Sequence, residues 1–133
     1  MRLLLDTHVW VWTQEEPQRL GPRTKRLVLG TEHENGVSPI STLEMARLVA
    51  AGEIELSLAL AEWIARSMAD LAAHTIAVSH DVAMEAYALP GSFHRDPADR
   101  ILVATARQDG LTLVTADDRI LAYPHVRTQD ARR

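Results

Sequence analysis

The feature that most constrains this fold is the run Leu3-Leu4-Leu5, closed abruptly by the single carboxylate Asp6. A buried strand of a parallel sheet reads as such an apolar run, because helices cover both of its faces. Ligands of these sheets gather just beyond the carboxyl ends of the strands, which is where Asp6 stands. Aspartate is also a favoured helix N-cap, and helix-compatible sequence follows it. Asp6 therefore has two readings, a functional acid and a cap.

Strand-like and helix-like segments alternate along the rest of the chain. The pattern predicts strands over Leu3–Leu5, Val37–Ser38, Thr75–Val78, Leu111–Thr115 and Val126–Thr128. Helices are predicted over Val9–Glu15, Arg23–Leu29, Ser41–Ala51, Leu58–Leu71, Asp81–Leu89 and Pro97–Gln108. Pro17, Gly21-Pro22, Gly52 and Pro90-Gly91 punctuate them, and Gly110 suits a helix C-cap. Such alternation implies an α/β fold: a three-layer α/β/α sandwich around a central parallel sheet. No repeat or linker divides the chain, so one domain over residues 1–133 is expected.

Composition removes several classes of function. The chain has no cysteine, which excludes disulfides, thiolate metal sites and thiol catalysis. A net charge of −4 argues against a protein that coats nucleic acid through a basic surface. The charge is uneven, however: Arg95–Arg133 holds seven arginines against six carboxylates, whereas residues 1–94 carry seven basic and twelve acidic groups. That distribution permits a nucleic-acid substrate without requiring one. No segment has the length of a membrane span or a signal sequence, and a cytoplasmic location is expected.

Four carboxylates stand at strand ends or helix starts: Asp6, Glu44, Asp99 and Asp117. Ser41-Thr42-Leu43-Glu44 is a capping-box pattern, in which Glu44 folds back on the N-cap amide. Asp96-Pro97-Ala98-Asp99 opens another helix with Pro97 at its first position, making Asp96 the cap and leaving Asp99 freer for chemistry. Asp117 follows the strand Leu111–Thr115, although Thr115 and Asp118 offer a competing cap pair that leaves Asp117 and Asp118 as alternatives. Four caps would gather at one sheet edge in any case. Acids aimed at a common point are different, because like charges within roughly 4–6 Å raise each other's pKa. Such a cluster persists best around a divalent cation, and oxygen ligands favour Mg²⁺ or Mn²⁺. The chemistry this suggests is metal-assisted phosphodiester hydrolysis.

Asp6-Thr7-His8, the Ser41-x-x-Glu44 helix start, the segment from His94 to Ala106 and Leu113-Val114-Thr115-Ala116-Asp117 together resemble the PIN-domain ribonucleases of the VapC toxin type. The blocks keep the family's order and spacing from about residue 1 to about 128. The resemblance implies a metal-dependent endoribonuclease, the toxin of a toxin–antitoxin pair, inhibited by a small antitoxin and dimeric. It also implies a Mg²⁺ or Mn²⁺ site on Asp6, Glu44, Asp99 and Asp117, with Asp6 and Asp99 as direct ligands and Glu44 and Asp117 completing the site or orienting the attacking water. Two positions depart from the family's habit, Ala98 and Leu43, and neither is an acid. The rival from another class is a catalytically silent α/β binding module whose acids are only caps. An aspartyl-phosphate phosphatase needs a second Asp two residues after the first, where this chain has His8.

Other residues have plainer readings. His8, His80, His94 and His125 are scattered without metal-ligand spacing. Trp10 and Trp12 face different ways, one toward the core and one toward a partner, while Trp63 belongs to the core. Thr115 serves either as a hydrogen-bond partner of an acid or of a metal-bound water, or as a cap, and Asp96 supports the site as a cap. Leu56, Leu58, Leu60, Trp63 and Ile64 exceed one narrow core-facing stripe, which predicts a partner surface on the helices between Ser41 and Leu71.

Overall fold

The computed structural model describes residues 1–133. Five strands form one sheet, β1 (Arg2–Leu5), β2 (Glu34–Val37), β3 (His74–Thr75), β4 (Thr112–Thr115) and β5 (Thr128–Asp130), in the order β3-β2-β1-β4-β5. Every pairing is parallel. The apolar run explains why β1 is central: Leu3 and Leu5 enter one core cluster, Leu4 enters the other, and all three are buried.

Seven helices cover the sheet: α1 (Thr7–Glu15), α2 (Pro22–Leu29), α3 (Pro39–Ala50), α4 (Leu60–Asp70), α5 (His80–Glu85), α6 (Pro97–Asp109) and α7 (Asp118–Leu121). A 3-10 turn at Pro17–Arg19 separates α1 from α2. Val9 and Trp10 of α1, Leu27 and Val28 of α2 and Trp63 of α4 pack with Leu3 and Leu5. On the other face, Leu102, Val103 and Ala106 of α6 and Ile120 of α7 pack with Leu4 and Leu113. The result is the expected three-layer sandwich. No helix is long and apolar enough to cross a membrane.

Local expectations fail in instructive places. The capping box at Ser41 does not form, because Ser38 caps α3 one turn earlier, its Oγ accepting from the Ile40 amide at 3.1 Å. Ser41 is then inside the helix, its buried hydroxyl without a partner, and Glu44 lies in the second turn, where it cannot reach the N-cap amide. The strand predicted over Thr75–Val78 shrinks to His74–Thr75 before the chain leaves the sheet for the Ser79 cap of α5. Two elements had no sequence signal, the 3-10 turn and the four-residue α7. Trp10 is the buried member of its pair, donating to Ser67 Oγ at 3.0 Å, while Trp12 lies half-buried beneath the Arg19 guanidinium. The apolar residues Leu56, Leu58, Leu60 and Ile64 mostly serve this chain's own core, packed against it half-buried. Between Ser41 and Leu71 the exposed large apolar residues are Leu43, at 65%, and Val49, at 37%.

Helix α6 carries Asp99 and is delimited at both ends by backbone chemistry. Asp96 Oδ1 accepts from the amides of Ala98 (2.9 Å) and Asp99 (3.4 Å), Pro97 presets the first turn, and Gly110 closes the helix at φ 65°. A Cβ at Gly110 would meet only the Arg127 guanidinium at 3.6 Å, so an alanine there suffers from its dihedrals and not from crowding. Gly110→Ala is expected to lower stability by about 1–2 kcal/mol in urea unfolding, with the site chemistry unchanged.

Candidate active site

The site is built where β1 and β4 end side by side. Their parallel register aligns Leu5 with Val114, and the Asp6 amide continues the ladder to Val114 O at 3.0 Å. Asp6 therefore emerges beside Thr115. Thr115 Oγ1 donates to Asp6 Oδ2 at 2.6 Å and accepts from the Asp117 amide at 3.0 Å. Thr115 is thus the donor to the acid, and it does not cap α7, whose N-cap is Asp117. Asp6 serves as the N-cap of α1, its Oδ1 accepting from the Thr7 amide at 2.7 Å. Burial pushes the Asp6 carboxyl up, and the hydrogen bonds from Thr115 and then Thr7 oppose that rise.

Asp117 caps α7, its Oδ1 accepting from the amides of Arg119 (2.8 Å) and Ile120 (3.4 Å). The neighbouring Asp118 is exposed and pairs with Arg132 at 2.8 Å, so Asp117 is the acid that faces the site. Burial would raise the Asp117 carboxyl, but the bonds from Arg119 outweigh it and hold the group below the usual carboxylate range.

Asp99 differs from both. It is buried, one turn into α6, and its carboxylate takes no hydrogen bond from any donor. Burial first, then the charges of Asp6, Asp96, Asp117 and Glu44, push it up to about 8. Glu44 projects from α3, half-buried and free of hydrogen bonds and ion pairs, near enough to raise both Asp6 and Asp99. All four sequence-identified acids thus act on one neighbourhood.

The tightest ligand set is partly unforeseen. Oxygens of Asp99 and Asp117 and a nitrogen of His94 lie within 4.8 Å of one another, while Asp6 and Glu44 stand outside that set. His94 precedes α6 in a loop, with Nε2 at 3.1 Å from Asp99 Oδ2 but not aligned for a hydrogen bond. Burial, and next the Arg119 charge, lower its pKa. The Arg100 guanidinium holds that loop, donating to the carbonyls of Phe93 (2.8 Å), His94 (2.9 Å) and Ala86 (2.9 Å). Arg119 leans over the acids, Nη2 being 3.3 Å from Asp117 Oδ2 and 3.9 Å from Asp99 Oδ2. His94, Arg100 and Arg119 carry no local pattern of their own; their proximity to Asp-Pro and Thr-x-Asp was the available signal. The largest surface cleft, about 620 Å³ and lined by Glu15, Ser57, Trp63 and Arg66, contains none of these residues.

A buried, unbonded carboxylate ringed by other acids fits a divalent cation, and the donor set of carboxylate oxygens suits a hard one.

Comparison with known proteins shows the family and the fold. The PIN domain family model matches residues 3–126. Ribonuclease VapC22 of Mycobacterium tuberculosis (strain ATCC 25618 / H37Rv) is 40% identical over 129 residues, covering 94% of each chain. This chain belongs to the PIN-domain family and, within it, to the VapC ribonucleases. The fold is shared with VapBC2 from Rickettsia felis, solved bound to a promoter DNA fragment (TM-score 0.70, 14% identity, 97% of this chain and 98% of that one). It is shared also with DNA-bound VapBC from Salmonella typhimurium (TM-score 0.65, 20% identity, 98% of each chain).

The elevated Asp99 pKa makes a stability prediction. A folded-state value of about 8 above the unfolded one means that the neutral acid is favoured in the native state. Its contribution is fully present below the unfolded pKa, near 4, and is lost as pH rises through about 8. Asp99→Asn is therefore expected to raise the melting temperature of the metal-free protein at pH 8 by about 3–5 °C, on the order of 1 kcal/mol after discounting for solvent screening. Millimolar Mg²⁺ or Mn²⁺ is expected to stabilise the wild type more than this variant. Thermal melts in EDTA and in metal check both; a variant less stable than wild type in EDTA makes Asp99 structural.

Proposed function

We propose that this chain is the toxin of a toxin–antitoxin pair, a single-domain endoribonuclease that hydrolyses RNA with Mg²⁺ or Mn²⁺. The observation that carries the reading is Asp99: a carboxylate with no donor, raised first by its burial and then by the acids around it, in a chain that belongs to the VapC ribonucleases. A divalent ion held there supplies charge against a phosphodiester and makes water more acidic.

In this reading Asp6, Asp99 and Asp117 would hold the ion. Thr115 and the Thr7 amide orient Asp6 and oppose the rise that burial imposes on it. A cation held among the acids would favour the ionised form of Asp99. Glu44, free of partners, orients the attacking water and takes its proton. Asp96 supports the site as the cap that fixes the first turn of α6. The partner is a small antitoxin, the working form a homodimer, and the location the cytoplasm.

One observation favours the rival reading, a silent binding module: Asp6, Asp96 and Asp117 do cap helices. Asp99 and Glu44 do not, and they separate the two. Cleavage of a single-stranded RNA is expected with Mg²⁺ or Mn²⁺ and to vanish in EDTA. Asp99→Asn and Glu44→Gln are each expected to reduce the rate by about two orders of magnitude while circular dichroism stays native. Full activity in either variant overturns the assignment of that acid, and inactivity of the wild type with both metals favours the binding module.

A further inference from the structure

We propose that Arg119 is a phosphate-binding residue of the RNA site, held in the metal-free protein as a tethered counter-cation over Asp99 and Asp117. The proposal rests on the nuclease reading above and adds a residue to it.

Arg119 sits in the first turn of α7, two residues after the cap, so its side chain folds back across the cap. Its Nη2 lies 3.3 Å from Asp117 Oδ2 and 3.9 Å from Asp99 Oδ2. The side chain is 62% exposed and contacts no other acceptor. Neighbouring arginines are engaged differently. Arg100 spends its guanidinium on three carbonyls, Arg132 on Asp118 and Asp130, and Arg107 on Glu85 and His125 O. Those three hold structure together, whereas Arg119 holds only the acids of the site.

So exposed an ion pair is weakly held. A divalent cation on Asp99 and Asp117 supplies the charge that Arg119 otherwise supplies, and two cations repel over the same carboxylates. The displaced guanidinium stays on the rim of the site, tethered by α7. There its planar fork of N–H donors matches a phosphate, which it binds bidentately. One side chain thus opposes metal in the free protein and favours RNA in the loaded one.

The test uses the full chain as wild type, Arg119→Gln and Arg119→Lys, with Mn²⁺ uptake read from the signal of free Mn²⁺ by electron paramagnetic resonance. Arg119→Gln is expected to bind Mn²⁺ about 2- to 5-fold more tightly, with Arg119→Lys close to wild type. Binding of a single-stranded oligoribonucleotide, followed by fluorescence anisotropy in Ca²⁺, is expected to weaken about 3- to 10-fold in Arg119→Gln, with a smaller salt slope. A purely structural Arg119 would lower the melting temperature and move neither affinity. An unchanged Mn²⁺ affinity or an unchanged RNA affinity in Arg119→Gln overturns the proposal. A wild type that takes up Mn²⁺ beside an unchanged variant leaves the nuclease reading standing and removes Arg119 alone; a wild type that takes up none removes both.

Discussion

The parallel pairing of β1 with β4 is the constraint on which the rest of the structure depends. It aligns Leu5 with Val114 and so brings Asp6 beside Thr115, two residues 109 positions apart in the chain. A hydroxyl has one proton to donate, and Thr115 gives it to Asp6 Oδ2 at 2.6 Å. Its lone pair then accepts the Asp117 amide at 3.0 Å, which sets the turn into α7. Both strand ends and two helix starts are thereby fixed as one unit. Because Leu4 and Leu113 fill one face of the sheet and Leu5 and Val114 the other, a slip of one residue would exchange every core side chain between faces. The packing of two hydrophobic layers therefore holds the site in register.

Legibility in the sequence followed burial and capping chemistry. β1 and Asp6 stood out because burial on both faces leaves an unbroken apolar run. α6 stood out because Asp96-Pro97 and Gly110 mark its ends with chemistry that few other segments share. At α3 the same logic misled: Ser41 and Glu44 have capping-box spacing, but Ser38-Pro39 lies one turn earlier and combines a cap with a proline at the first position. What remained for Glu44 came from family resemblance. α7 is too short for periodicity to register, and β3 is a two-residue edge whose ladder extends only to the Ile76 amide. His94 and Arg119 reach the acids through a loop and the fold-back of a first turn, geometry that no local pattern records.

Capping and ligation compete for the same carboxylates only in part. Each carboxylate oxygen has two lone pairs, so Asp6 and Asp117 can accept helix amides and still present an oxygen to a cation. The amide dipoles also bring the positive ends of α1 and α6 to the acid edge, which offsets part of the crowding of negative charge. Asp6 is offset further by Thr115, and Asp117 by Arg119. The cluster can therefore fold before any metal arrives.

Asp99 is where that compensation stops. It caps nothing, accepts no hydrogen bond, and lies against the His94 imidazole and a weakly held, exposed guanidinium. Donors meet Asp6 and Asp117, whereas Asp99 has none, and burial followed by the surrounding charges pushes it up to about 8. A monovalent side chain cannot remove the imbalance, because Arg119 is shared with Asp117 and open to water. A small divalent ion can, since it carries twice the charge and draws carboxylate oxygens from several acids at once. The fold thus gives its helix-capping acids donors of their own and leaves Asp99 buried without one, the arrangement on which the proposed cation site rests.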